Sequence, residues 1–208
     1  MQNRWLSLME RLSLPENIGT FNKLIEQYSE SHRAYHNIQH IEACLKHLSE
    51  FKKRNNNFLS EREFILLEVA IWFHDAIYKP FSSKNEKESA DFCESFLCKN
   101  TVNELETQFV YQLIMITMHN QETQTPAEEL MMDLDLSILG SSEGVYEEYE
   151  INIRKEYRWV PKSLFNNKRA QILNYFIGQK NIFKTKHFNE LFEDRARRNL
   201  SRALDKLS

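Results

Sequence analysis

Apolar side chains recur every three or four residues along nearly the whole chain, the spacing of helices that each bury one face. Phe21, Leu24, Ile25 and Tyr28 fall on one such stripe, and Ile41, Leu45, Leu48 and Phe51 on the next. The polar run Lys52-Lys53-Arg54-Asn55-Asn56-Asn57 then reads as a loop. Ser60 with Glu63 has capping-box spacing, in which a hydroxyl and a carboxylate each take up the other's backbone N–H. It opens a helix carrying Phe64, Leu67, Ile71 and Trp72 and ending near His74-Asp75. Lys79-Pro80-Phe81-Ser82-Ser83 breaks the pattern. Ser83 with Glu86, and Thr101 with Glu104, have the same capping spacing and predict two further helix starts. Ala90, Cys93, Phe96 and Leu97 line the first of these helices; Leu105, Phe109, Leu113 and Ile116 line the second, which runs on to His119.

Thr125-Pro126-Ala127-Glu128 combines a cap, a proline at the first helical position and an acid at the third. The helix it predicts passes through Leu130, Met131, Leu134 and Ile138 and stops near Gly140. Helical spacing resumes over residues 145 to about 159, is punctuated by Pro161, and returns around residues 164–177 and 188–207. No internal repeat, low-complexity linker or shift of composition divides the chain. The expectation is one all-α domain over residues 1–208, a bundle of nine or ten helices.

Composition sharpens this picture in three ways. Glycine and proline number only 4 each in 208 residues, too few for the many turns of a sheet-rich fold. The net charge of -3 gives no overall attraction to nucleic acid or to an anionic membrane, and no stretch is apolar for long enough to span a bilayer. Cys44, Cys93 and Cys98 cannot all pair with one another, and the start Met1-Gln2-Asn3-Arg4-Trp5 lacks the apolar core of a signal peptide. Reduced thiols and a cytoplasmic location are the expectation. The basic group Arg195, Arg197, Arg198 and Arg202 is matched by Glu190, Glu193, Asp194 and Asp205, which reads as a solvated face.

The candidate chemistry lies in three separated segments. His36 and His40 are four residues apart and would share a face on a helix. His74-Asp75 ends an apolar run, and Asp133-Leu134-Asp135-Leu136 lies downstream. Any one of these taken alone is most simply a core histidine or a capping acid. Together they supply two imidazoles and two carboxylates, a mixed nitrogen and oxygen set suited to a divalent metal that activates water and clamps phosphate oxygens. Asp75 and Asp135 both sit among apolar residues, where an unpaired carboxylate is costly and one cation would neutralise both. Arg33 would share the His36 face if that segment were helical, and its planar fork suits phosphate. Lys79 and Lys84 follow the His-Asp pair in a loop open to substrate, although solvated surface lysines would look the same.

Arranged in this order, the motifs resemble the HD superfamily of metal-dependent phosphohydrolases. Arg33-Ala34-Tyr35-His36-Asn37-Ile38-Gln39-His40 is similar to the Tyr-His-Asn-x-x-His motif of its cyclic nucleotide phosphodiesterase branch, and Asp135-Leu136-Ser137 to the Ala-Asp-Leu-Ser motif, with Leu134 in place of alanine. With Phe73-His74-Asp75-Ala76, Asn85-Glu86 and Arg154-Lys155-Glu156-Tyr157, most of the chain resembles a compact bacterial subgroup. The resemblance implies an HD/phosphodiesterase-like helical bundle in which His40, His74, Asp75 and Asp135 ligate the metal. It implies that His36 protonates the leaving oxygen, that Asp75 bridges to a second ion where there is one, and that His119 and Glu86 lie toward metal or substrate. One or two ions, of Mn, Fe, Co, Ni, Zn or Mg, are compatible with the donors. The implied substrate is a small phosphorylated molecule, a nucleotide by preference. The glutamine that clamps purines in the phosphodiesterases has no counterpart here. The alternatives are a non-catalytic metal- and nucleotide-binding regulatory module and a structural protein with a vestigial site. No nucleic-acid or membrane partner is expected, and the exposed helix faces leave room for a homodimer.

Overall fold

The computed structural model describes residues 1–207, and among them it contains only helices and their connections. The ten α-helices are α1 (Gln2–Arg11), α2 (Ile18–Tyr28), α3 (Ile38–Arg54), α4 (Glu61–Phe73), α5 (Asn85–Lys99), α6 (Glu104–Met115), α7 (Pro126–Asp135), α8 (Glu143–Glu156), α9 (Lys162–Gly178) and α10 (Lys186–Leu207). Two 3-10 turns, Ile116–Met118 and Leu136–Gly140, extend α6 and α7. Among the described residues no helix is long and apolar enough to cross a membrane. The all-α expectation holds.

Within this all-α architecture the helices group into two compact units, Met1–Met131 and Met132–Ser208. Their boundary falls inside α7. A boundary within a continuous helix needs no glycine or proline, so composition carries no mark of it.

In the first unit α4 is the core element. Every residue from Phe64 to Phe73 is buried, because α1, α3, α5 and α6 all pack on it. That explains its all-round apolar character: a helix covered on every side has no polar face to keep. Trp5 of α1 meets Trp72 edge to face at 5.5 Å and packs with Phe21, Phe73 and Phe96. The exception in α4 is Glu68, buried mid-helix and held by Arg4 and Arg11 of α1, each at 2.7 Å. Arg62 and Glu106 form a bidentate pair between α4 and α6 at 2.5 and 2.6 Å.

Two of the four capping boxes form as expected. The hydroxyl of Ser60 accepts from the Glu63 N–H while the Glu63 carboxylate accepts from the Ser60 N–H, and Thr125 and Glu128 do the same for α7. The other two are corrected. Lys84, not Ser83, precedes α5 and gives no side-chain cap. Thr101 does not open α6; it ends α5 in the left-handed region at φ 57°, with Val102 N–H donating to the Leu97 carbonyl and Thr101 N–H to Cys98. That is a Schellman closure built without glycine. Asn103 then caps α6 by accepting from the Glu106 N–H. Ser13 closes α1 in the same way at φ 59°. These closures explain how so many helices end with so few glycines.

In the second unit the 3-10 turn Leu136–Gly140 packs on α8 and α10, and α9 packs on α10. Gly140 is required by proximity, since a Cβ there would sit 2.3 Å from the Cβ of Phe192. Glu150 of α8 holds Arg169 of α9 through two bonds of 2.7 and 3.0 Å and accepts from the Tyr146 hydroxyl. Asn199 donates to the carbonyls of Leu139 and Ser141. Arg197 is bound to Glu193 and to three carbonyls, those of Ile177, Gln179 and Lys180.

Candidate metal centre

The end of α4 brings three donor atoms of the first unit together. His74 is the residue that follows the last turn of α4, and Asp75 leaves the helix directly after it. A helix end lets adjacent side chains converge, where mid-helix neighbours diverge by about 100°. The Nε2 atoms of His40 and His74 lie 3.1 Å apart. Asp75 Oδ2 is 3.3 Å from His74 Nε2 and 3.6 Å from His40 Nε2. Ligands at the usual length to a divalent first-row metal stand about 3.0–3.4 Å from one another, octahedral to tetrahedral. The 3.1 and 3.3 Å separations fall in that range and the 3.6 Å one lies just above it, so these donors could hold one ion, with the two imidazoles among its ligands.

The second neighbours fix how the rings present their lone pairs. His74 Nδ1–H donates to the Ile71 carbonyl at 2.9 Å, leaving the Nε2 lone pair directed at the pocket. His40 Nδ1 is 3.0 Å from the Tyr35 hydroxyl. Two bare imidazole lone pairs 3.1 Å apart would repel. One arrangement that avoids this has His40 Nε2–H donating to His74 and the Tyr35 hydroxyl donating to His40 Nδ1. Were a cation held here, His40 would present its Nε2 lone pair and its Nδ1–H would donate to Tyr35. A hydroxyl both donates and accepts, so Tyr35 serves either state. Burial disfavours the charge on Asp75, but the imidazoles of His74 first, then His36 and His40, outweigh it and hold the carboxyl well below its ordinary range.

His36 precedes α3 rather than lying on it, because Asn37 caps the helix by accepting from the Gln39 N–H. The shared helical face expected for His36 and His40 is thus replaced by a turn that still sets their rings 6.3 Å apart. The His36 ring stacks on Tyr78 at 4.2 Å and meets Tyr35 edge on at 5.0 Å.

Arg33 also lies in this turn, and its guanidinium is committed to the protein. It donates to the carbonyls of His36, Asp75 and Ala76 at 3.1, 2.6 and 2.9 Å, and to Glu30 at 2.9 Å. Its side chain is fully covered and sits over the rings of Tyr28 and Tyr78. The substrate contact expected of Arg33 gives way to a positioning role: it clamps the carbonyls around Asp75. Burial first, and then Asp75, push the Tyr28 phenol up, and its hydroxyl donates to the Trp72 carbonyl at 3.0 Å.

The segment after Asp75 is clipped to α5. Asn85 exchanges two 3.0 Å bonds with the backbone of Lys79, and Ser89 bonds the backbone of Ile77. Lys79 itself is exposed and pairs with Glu88 at 2.5 Å. Lys84 is exposed ahead of α5, and Glu86 is half-buried in its first turn. His119 closes the 3-10 turn Ile116–Met118 in the left-handed region at φ 53°. Tyr35, Tyr78 and His32, whose Nε2 bonds the Tyr78 carbonyl at 2.9 Å, were not singled out by the sequence. Only Tyr35 had a signal, its place in the quoted Tyr-His-Asn-x-x-His motif.

Asp133 and Asp135 belong to the second unit. Asp133 is fully buried, and its carboxylate accepts from the N–H groups of Lys184 and Thr185 at 2.7 Å and from the Thr185 hydroxyl at 2.6 Å. Thr185 in turn accepts from the Phe188 N–H in the first turn of α10. Asp133 is thus a structural tie. Asp135 ends α7 half-buried, near enough to Tyr149 to add to the burial that raises its phenol. No family model, curated protein or solved structure matches the chain.

Proposed function

We propose that the chain is a metal-dependent phosphohydrolase of the HD type, cleaving a phosphate ester or anhydride of a small phosphorylated molecule, a nucleotide by preference. The observation that supports this reading most is the approach of His40 Nε2, His74 Nε2 and Asp75 Oδ2 to within 3.1–3.6 Å of one another. The resemblance implies Asp135 as a further ligand. A bound divalent ion supplies Lewis acidity toward a phosphoryl oxygen and lowers the pKa of water. The protein's residues do the rest. Arg33 holds the backbone that orients Asp75, and Tyr35 holds the ring of His40. His36, stacked on Tyr78, gives a proton to the departing oxygen. Of the three cations expected at the site, Arg33 is committed and Lys79 paired, so the contact to substrate phosphate is assigned to Lys84, with His119 and Glu86 toward the same substrate.

The test is a metal analysis of the untreated protein followed by turnover assays with Mn, Mg, Co, Ni and Zn against nucleotides and a generic phosphodiester. Hydrolysis that chelator abolishes and metal restores is the expected result. His36→Ala should keep the metal and slow turnover about a hundredfold, the usual range for a lost general acid. If His36→Ala instead strips the metal, the division between acid and ligand is wrong. Nucleotide binding with no turnover under any metal marks a regulatory module instead.

A further inference from the structure

The second unit contains a cleft of about 580 Å³ walled by α8, α9 and α10. Its volume falls within the range of small-molecule sites, about 300–1,000 Å³. Its apolar floor and wall are formed by Phe165, Ala203 and Leu207, with Ile151 exposed at the rim. The lining is otherwise dominated by cations: Arg154, Lys155, Arg158, Lys162, Arg202 and Lys206 face only two carboxylates, Glu147 and Glu150.

Internal pairing does not cancel this excess. Glu147 is taken by Lys206 at 2.5 Å and Glu150 by Arg169 at 2.7 Å, so neither acid remains to neutralise the others. Arg202 is bound to Glu143 and Asn199, and Arg154 to the carbonyls of Tyr157 and Val160. Among the described residues Lys155 meets the neutral amide of Asn152 and no carboxylate, while Arg158 lies over the Trp159 ring. Lys162 stands exposed at the first position of α9, whose cap, Pro161, offers no side-chain acceptor and whose first turn holds no acid. Three cations thus gather at the end of α8 and the start of α9, next to an apolar floor. Like charges placed together repel one another, and an anion removes that cost.

We infer that this cleft binds a small amphiphilic anion, a phosphate or carboxylate head at Lys155, Arg158 and Lys162 with a hydrocarbon tail along Ile151, Phe165 and Ala203. Head and tail make separate demands on the site. Inorganic phosphate satisfies the cations but leaves the floor wet; a cationic amphiphile covers the floor but meets the wrong charge.

Isothermal titration calorimetry of the full chain with dodecyl phosphate, below its micellar concentration, tests the site against inorganic phosphate and dodecyltrimethylammonium. Dodecyl phosphate should bind at least about tenfold more tightly than either. Lys162→Glu and Ile151→Asp, both at exposed positions that the fold does not need, should each weaken it about tenfold with an unchanged circular dichroism spectrum. Equal binding of the two amphiphiles, or dodecyl phosphate binding that neither substitution weakens, overturns the inference. So does the absence of dodecyl phosphate binding, and so does a polyglutamate peptide that binds in a Lys162-dependent way more tightly than the amphiphile does.

Discussion

Asp75 and Asp133 look alike in the sequence: each is an acid beside apolar neighbours, at or near a helix end. Their surroundings differ in kind. Asp133 is encircled by donors whose hydrogens cannot leave, two backbone N–H groups and a hydroxyl, all within 2.7 Å. Asp75 faces two imidazole nitrogens at 3.3 and 3.6 Å, atoms that carry either a proton or a lone pair. The first arrangement saturates a carboxylate and makes it structural. The second brings nitrogen and oxygen donors together at separations that one cation could bridge, which is what a metal centre requires. A buried acid in an apolar run is therefore no sign of chemistry by itself; what faces it decides.

The sharpest way to break this contrast is His74→Ala. It removes one donor of the convergent set, so metal found by elemental analysis should fall to background and turnover should drop more than about a thousandfold, with helicity retained. Asp133→Ala should do the reverse. Bound metal per folded chain should persist, while urea unfolding should show a loss of about 3 kcal/mol, because two backbone donors and a hydroxyl lose their acceptor in a buried place. Tyr35→Phe sharpens the contrast further. Without the hydroxyl that accepts from His40 Nδ1–H, metal affinity should weaken about tenfold, measured by competition with a chelator, and the fold should be unchanged.

The smallest effect is expected at an ordinary ion pair. The hydrogen bonds from Arg62, against a smaller burial penalty, hold Glu106 below the usual glutamate range. A carboxyl lowered in the folded state stabilises above its unfolded pKa of about 4.3 and loses that contribution as pH falls through its folded value. Arg62 is 40% exposed, so solvent screens the pair. Glu106→Gln should cost only about 0.5 kcal/mol at pH 7, a difference that shrinks on acidification.

How much was legible follows from how far each feature reaches along the chain. The Ser60–Glu63 and Thr125–Glu128 boxes involve residues three apart, and both form. The Ser83 and Thr101 starts failed because the same residue types also occur in turns and helix ends, and Thr101 is used to close α5. Arg33 was read as a phosphate ligand because charge on a side chain is visible in a sequence. The three carbonyls that consume it, two of them more than forty residues away, are not. The boundary within α7 left no trace for the same reason: compact units are defined by contacts, and local composition need not change where contacts do.

The sequence by itself determined the all-helical architecture, since the apolar stripe of a helix is a relation among near neighbours. It also pointed to the histidines and acids worth watching. Only the tertiary structure decided that His40, separated from His74 by 34 residues, turns its Nε2 to within 3.1 Å of that ring. It alone gave Arg33 and Asp133 to the scaffold, because the direction of a side chain and the partners that saturate it depend on segments brought together by packing, which no spacing along the chain encodes.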